Sequence, residues 1–405
     1  MSGFSKLETH FGASNYAPLP VMIVRGEGVF VWDQDGRRYI DMMGAYSAAS
    51  FGHCHPRLVA ALSAQAGRLD TISRAFFSDT LGPFLARACE LTGMDVALPM
   101  NSGAEAVETA LKAARKWAYK VKGVPQDRAE IIAAEGNFHG RTISIVGFSS
   151  VAQYRDGFGP FPPGFRLVPF GDVAALEAAI TPHTAAFLVE PIQGEGGINV
   201  PPPGYLAEAA RICRKHRVLL LCDEVQTGLG RTGGLLACQQ DDVKPDGLML
   251  GKALGGGLLP VSLFLARREV MQVFTPGDHG STFGGNPLAA AVGLAALDTL
   301  IDERLIEHAA TAGAYLLDRL GSIRNPLIRE VRGRGLLAGV ELHRERANAR
   351  FVAERMVRAG VLTKDTHRNT LRFTPPLIIQ NQQIDWAIDR FAEVLDEIAE
   401  AKVSI

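Results

Sequence analysis

The sequence predicts an α/β protein, with a large domain built on a mostly parallel central sheet and a smaller α+β domain after it. Two observations carry that reading. From about residue 56 to 290, short apolar runs alternate with helical patterns, the order of strand–helix–strand units. From about residue 301 the order changes to a long helix, two strand candidates and a terminal helix. The expected division is residues 1–55 as an N-terminal arm and hairpin packing with the small domain, 56–300 as the large ligand-binding domain, and 301–405 as the C-terminal small domain.

Taken in order, residues 1–28 read as an irregular arm, since Pro18 and Pro20 interrupt it. Stretches 29–33 and 37–41 flank Asp33-Gln34-Asp35-Gly36, a hairpin signal. His53-Cys54-His55-Pro56 has the residue types of a metal site. Its spacing fits no usual zinc site and no second cluster accompanies it, so a helix entry at Pro56 is the better account and no metal is expected. Strands are expected at 95–100, 130–134, 185–189, 218–222, 248–250 and 261–266. Helices are expected at 104–121, 205–216 and 287–300. The small domain should hold a helix at 306–320, strands near 328–331 and 336–341, and a terminal helix from about Gln383.

Composition narrows the function. The 405 residues are 47% hydrophobic and 21% charged, ordinary for a globular protein with a large core. A net charge of −1 does not point to nucleic acid or an anionic membrane surface. No apolar run approaches the roughly 20 residues of a membrane span. The first residues lack the apolar segment of a secretory signal. Five scattered cysteines (54, 89, 213, 222 and 238) suggest reduced thiols in a cytoplasmic protein.

Chemistry collects at the strand tips. The run VLLLC ends in Asp223, and the run LML ends in Gly251-Lys252 before a glycine cluster. An acid and a lysine at successive tips suit a Schiff-base cofactor: the amine condenses with an aldehyde, and the acid keeps a ring nitrogen protonated. A partly buried Asp–Lys salt bridge is the competing account. Asn101-Ser102-Gly103-Ala104-Glu105 is a capping box between a strand and a helix, and its free N–H groups could also hold a phosphate. In GNFHGRT, Phe138 could stack on a flat ring and Arg141 could fork onto a carboxylate, while His139 reads as structural. Glu195 sits in the glycine-rich tip QGEGG. The match of 228–233 to GxGxxG is not a dinucleotide site, since no long amphipathic helix follows it. The segment GSTFGGN around Thr282 offers hydroxyls and N–H groups to a second phosphate contact, or is simply a turn and N-cap.

In this order, MNSGAEAVETALKAARKWAY, GNFHGRT, EPIQGEGG, DEVQTGLGRTG, LGKALGGGLLPVS and HGSTFGGNP resemble the class III, fold-type-I, pyridoxal-phosphate-dependent aminotransferases over nearly the whole chain. The resemblance implies pyridoxal 5'-phosphate as cofactor. Lys252 would carry it covalently, Asp223 would pair with its ring nitrogen, Gln226 would contact its ring hydroxyl and Phe138 would stack on it. Ser102, Gly103 and Ala104 would hold the phosphate, helped by Thr282 from the other subunit of a homodimer, possibly of a higher oligomer. The substrate residues would be Tyr16, Tyr46, Arg141, Glu195 and Arg372. Within the family the pattern is most similar to members acting on ornithine, which implies transfer of its δ-amino group to 2-oxoglutarate. N-acetylornithine, 4-aminobutyrate or another diamine, and an aminomutase reaction, stay open at this point. Glu195 is expected to pair with Arg372 when ornithine binds. Phe51 departs from the pattern, standing where a polar residue is expected among the ornithine-acting members.

Overall fold

The computed structural model describes residues 3–403. At its centre is a seven-stranded sheet in the order Val96–Met100, Ser262–Ala266, Gly247–Leu250, Leu219–Asp223, Thr184–Val189, Glu130–Ala134, Phe165–Val168. Ser262–Ala266 runs antiparallel to both its neighbours, and the remaining pairs are parallel. The four strands from Ser262–Ala266 to Thr184–Val189 are buried at every residue. That is why they are continuous apolar runs rather than alternating ones: helices cover both faces. One face carries Gly103–Trp117, whose Ala106, Val107, Ala110, Leu111 and Ala114 are buried. The other belongs to the main core, with Tyr205–Lys215 and Pro287–Asp302. Asp223 therefore ends the central strand, and Lys252 follows the end of the strand beside it.

The small domain is a four-stranded antiparallel sheet in the order Ile328–Arg334, Leu337–Leu342, Thr370–Phe373, Lys364–Thr366, with helices Leu305–Ser322, Ala349–Arg358 and Asn381–Val403. The hairpin strands Phe30–Asp33 and Arg38–Asp41 belong to a third sheet, where Arg38–Asp41 pairs in parallel with Val361–Leu362. The N-terminal region is thus joined to the C-terminal one through backbone hydrogen bonds.

Several expectations need correction. The arm is not irregular throughout: Gly3–Phe11 is a helix and Ile23–Glu27 a strand paired with Phe30–Asp33. Leu7 and Phe11 recur at helical spacing, a pattern outweighed by the prolines further on. The helix expected to reach residue 121 leaves α geometry after Trp117 and closes with a wider turn, Ala118–Lys122, ending at Gly123 with φ 86°. Phe165–Val168 and Lys364–Thr366 are edge strands without a buried apolar stripe, so periodicity does not reveal them. His53 and His55 face Asp41 at 2.8 Å and Glu303 at 3.2 Å, respectively. Phe51 is buried in the main core, edge-on to His55, so its apolar character is accounted for by packing.

Candidate active site

A cavity of about 180 Å³ opens at the C-terminal tips of the central strands, lined among others by Gly103, Ala104, Phe138, Asp223, Gln226 and Lys252. In an open, mostly parallel sheet this is where ligands are held. Asp223 Oδ2 is 2.7 Å from His139 Nδ1, and its Oδ1 accepts from the Val225 N–H at 3.1 Å. Burial alone would lower the His139 pKa, but the hydrogen bond and charge of Asp223 raise it above the usual value. Lys252 has a left-handed backbone, φ 47°, a strained conformation for a side-chain-bearing residue. Burial pushes its amine below the ordinary lysine pKa, with Glu195 opposing and Arg372 adding to the effect. A lysine amine of lowered pKa is a better nucleophile near neutrality.

Ser102 caps the helix Gly103–Trp117 by accepting from Glu105 N–H at 3.2 Å. Glu105 in return accepts from Ser102 N–H at 2.7 Å and Asn101 N–H at 2.9 Å. Ser102's own amide is therefore engaged, and it is Gly103 and Ala104 that face the cavity with the positive end of the helix dipole. A Cβ on Gly103 would come within 2.8 Å of Val225, so glycine permits this close approach of two strand tips.

Toward the mouth, Arg372 is wholly buried on strand Thr370–Phe373, and its Nη1 is 2.7 Å from Glu195 Oε1. Burial acts to raise the Glu195 pKa, but the Arg372 charge and hydrogen bond hold it down at about 2. Gln226 Nε2 also donates to Glu195 Oε1, at 3.3 Å. A Cβ on Gly194 would lie 1.8 Å from Gln226 Oε1, so that glycine makes room for the amide. The Arg372 guanidinium lies 5.2 Å from the centre of the Tyr46 ring. Tyr46 sits in a left-handed turn, Gly44–Ser47, with φ of 46° to 77° at Ala45, Tyr46 and Ser47. Such residues cost roughly 1–2 kcal/mol each, which marks the turn as held by its surroundings. Arg141 lies over Tyr154 at 3.8 Å and over Phe138 at 5.5 Å.

An aminotransferase class-III family profile matches residues 11–395. The chain belongs to the class-III aminotransferases. It is 54% identical to the ornithine aminotransferase of Geobacillus sp. (strain WCH70) over 389 residues, covering 96% of this chain and 97% of that one. With the ornithine aminotransferase of Bacillus subtilis (strain 168) it shares 54% identity over 387 residues, 96% of each chain. The crystal structure of the ornithine aminotransferase from Toxoplasma gondii ME49 superposes with a TM-score of 0.96 at 46% identity, over 98% of this chain and 95% of that one. An acetylornithine aminotransferase from Elizabethkingia anophelis superposes with a TM-score of 0.88 at 44% identity, over 97% and 98%.

The cavity of this class-III aminotransferase fits the cofactor its sequence implies. Among the described residues Gln226 Oε1 is buried without a partner, and it belongs to the cavity wall, where a ring hydroxyl would be able to donate to it. The acid, the amine, the aromatic face and the helix N-terminus line one space. The other expected residues, Ser102, Tyr16, Tyr46, Arg141, Glu195, Arg372 and Thr282, do not line it, and two of them are exposed away from it. Tyr16 is 73% exposed in the arm. Thr282 is exposed beside Phe283, which is 57% exposed, and its neighbour Ser281 accepts from Asn101 Nδ2 at 2.8 Å. Sequence reasoning passed over two others. Glu190, wholly buried, accepts from Phe138 N–H at 3.0 Å and Gly194 N–H at 3.2 Å, and burial pushes its pKa up to about 7. It ends an apolar run just as Asp223 does, which was the available signal. Tyr154 stacks under Arg141, and no local pattern points to it. Among the described residues no helix is long and apolar enough to cross a membrane.

Proposed function

We propose that this chain transfers the δ-amino group of L-ornithine to 2-oxoglutarate, with pyridoxal phosphate as cofactor. The products are glutamate 5-semialdehyde, which cyclises to pyrroline-5-carboxylate, and glutamate. The observation that carries the substrate assignment is the Glu195–Arg372 pair at 2.7 Å beside Tyr46. A bare guanidinium next to the reacting lysine would capture any α-carboxylate and bring an α-amine to the reacting position. Covered by Glu195, it admits an amine whose carbon carries no carboxylate. The similarity to ornithine aminotransferases supports the same reading.

The residues take these roles. Lys252 would hold the cofactor covalently, Asp223 would pair with its ring nitrogen, Phe138 would stack on the ring and Gln226 would meet the ring hydroxyl. Gly103 and Ala104 would hold the phosphate, with Ser102, the expected third contact, fixing the helix start as its cap, together with Thr282 from a second copy of the chain, which would make the working unit a homodimer. When bound, the cofactor supplies an electron sink beside the amine-bearing carbon. Lys252, with its amine held below the ordinary lysine pKa by burial, would be the group that moves a proton at the substrate's amine-bearing carbon. Asp223 would keep the ring nitrogen protonated. Arg141 holds ornithine's distant carboxylate, and Tyr16 and Tyr46 read its free α-amino group. When glutamate enters, its α-carboxylate displaces Glu195 and takes Arg372 by a bidentate fork, while Arg141 takes the γ-carboxylate. The functional division is 1–55, 56–300 as the cofactor domain and 301–405, in a cytoplasmic enzyme.

A half-reaction screen tests this reading. Cofactor-loaded protein is mixed separately with ornithine, N-acetylornithine, 4-aminobutyrate and lysine, and the cofactor's visible absorbance is followed. Ornithine should bleach it fastest. Faster bleaching by N-acetylornithine or 4-aminobutyrate would overturn the substrate, and turnover without 2-oxoglutarate would mean an aminomutase.

A further inference from the structure

Arg231 lies in the glycine-rich stretch 228–233, to which the activity assigns no role. Its side chain is 0% exposed. Nη1 donates to Leu336 O at 3.0 Å and Pro375 O at 2.5 Å, and Nη2 donates to Ser50 Oγ at 3.0 Å. No ion pair to it occurs among the described residues. Burial pushes its pKa down to about 9, opposed only by the charge of Asp41. A buried cation held by carbonyls and a hydroxyl is costly, and an apolar side chain of similar volume would fill the space without that cost. What the guanidinium does that an apolar chain cannot is join three segments in fixed geometry.

Two of those segments carry substrate residues. Ser50 closes the left-handed turn of Tyr46 by donating to Ser47 O at 2.8 Å. Pro375 follows the strand that carries Arg372, and Leu336 precedes the strand paired with it. Between them, Thr374 donates through its N–H to Met42 O and through its hydroxyl to Met43 O, both at 2.7 Å, and Leu377 N–H donates to Ser50 O at 2.7 Å. Arg231 sits at the hub of this lattice, on the segment that leads away from Asp223.

We propose that Arg231 is a positioning residue for substrate selection: its fork sets the spacing of Tyr46 and Arg372, and so the preference for a substrate with a free amino group at its distant end. The proposal rests on the reading of Tyr46 as the contact for that amino group. The test compares kcat/KM for ornithine and for 5-aminopentanoate, the same chain without the α-amino group. Arg231→Lys keeps a basic, hydrogen-bonding side chain but cannot span Ser50 and Pro375. The preference for ornithine should fall about tenfold, the scale of one well-placed hydrogen bond, through a raised KM for ornithine. Turnover of 5-aminopentanoate and cofactor absorbance should stay near the parent's. An unchanged ratio, or an equal fall for both substrates, would overturn the proposal. Tyr46→Phe is measured alongside. If it leaves the ratio intact, the reading of Tyr46 has failed and the proposal falls with it. If it lowers the ratio while Arg231→Lys does not, the proposal alone has failed. Should Arg231→Lys not fold, Ser50→Ala removes a single arm of the fork. It should move the ratio less but in the same direction, and no movement would count against the proposal.

Discussion

Asp223 accepts from His139 and a backbone N–H, which leaves a rigidly aimed, buried carboxylate facing the cavity. Asp223→Asn keeps the shape and removes the charge. Loss of a charge-assisted hydrogen bond is worth about 1.5–3 kcal/mol, so the ornithine half-reaction should slow about tenfold or more. An unchanged rate of cofactor bleaching would show that Asp223 is not the ring partner. Glu190 carries a pH signature of its own. Its folded-state pKa is raised by burial from 4.5 to about 7, so the folded protein holds the proton more tightly than the unfolded chain. That contribution is fully present below pH 4.5 and is lost as pH rises toward 7. The Tm of Glu190→Gln should therefore fall less steeply than the parent's over that window, and parallel curves would contradict the buried acid. The placement of Lys252 and Asp223 at neighbouring strand tips was legible in the sequence because each follows a buried apolar run, although a salt bridge between them was the competing account. Glu190 obeys the same rule but was overshadowed by Glu195. Tyr154 and Arg231 reach their places only through tertiary folding, and Arg231 read merely as part of a glycine motif.

Among the elements, the turn Gly44–Ser47 sets the position of Tyr46 most directly. Its backbone is left-handed, and three ties oppose the strain: Asp41 Oδ1 accepts from Met43 and Gly44 N–H at 2.9 Å each, and Thr374 holds Met43 O. Gly44 has φ 53°, and a Cβ there would lie 2.6 Å from Thr374 O. Gly44→Ala should thus cost roughly 1–2 kcal/mol in backbone strain and displace Tyr46. Ornithine's KM should rise about tenfold with little change in cofactor affinity, and a parent-like KM would refute the turn's role. No sequence pattern announces this turn, since its left-handed residues include alanine, tyrosine and serine. The buried central strands were readable to within a residue or so because all their side chains are apolar. The polar edge strand Lys364–Thr366 was not, because it is defined by pairing with Thr370–Phe373 rather than by burial.

At the scale of the whole molecule, the exposed Thr282 and Phe283 fit a site shared between two copies. Mixing subunits bearing Lys252→Ala with subunits bearing Thr282→Ala tests that sharing under limiting cofactor. If Thr282 serves the neighbouring site, each mixed dimer holds one intact site, and activity should recover to about half the parent's for every mixed dimer formed. No recovery would place Thr282 at its own site. The proposed substrate gate also draws on the whole chain: Tyr46 comes from the N-terminal part, Glu195 from the loop after a central strand and Arg372 from the C-terminal antiparallel sheet, and they meet within a few ångströms. Because the Glu195 pKa is depressed to about 2, its pairing is intact above the ordinary carboxylate range and is lost only as pH falls toward that value. In the proposed gate a competing carboxylate, and not protonation near neutrality, would therefore open the pair. The most direct test is stopped-flow measurement of both half-reactions in Glu195→Ala. With Arg372 unmasked, the glutamate half-reaction should speed up relative to that of ornithine by about tenfold or more. Equal slowing of the two would mean that the pair is a fixed structural ion pair and that selection by masking is wrong.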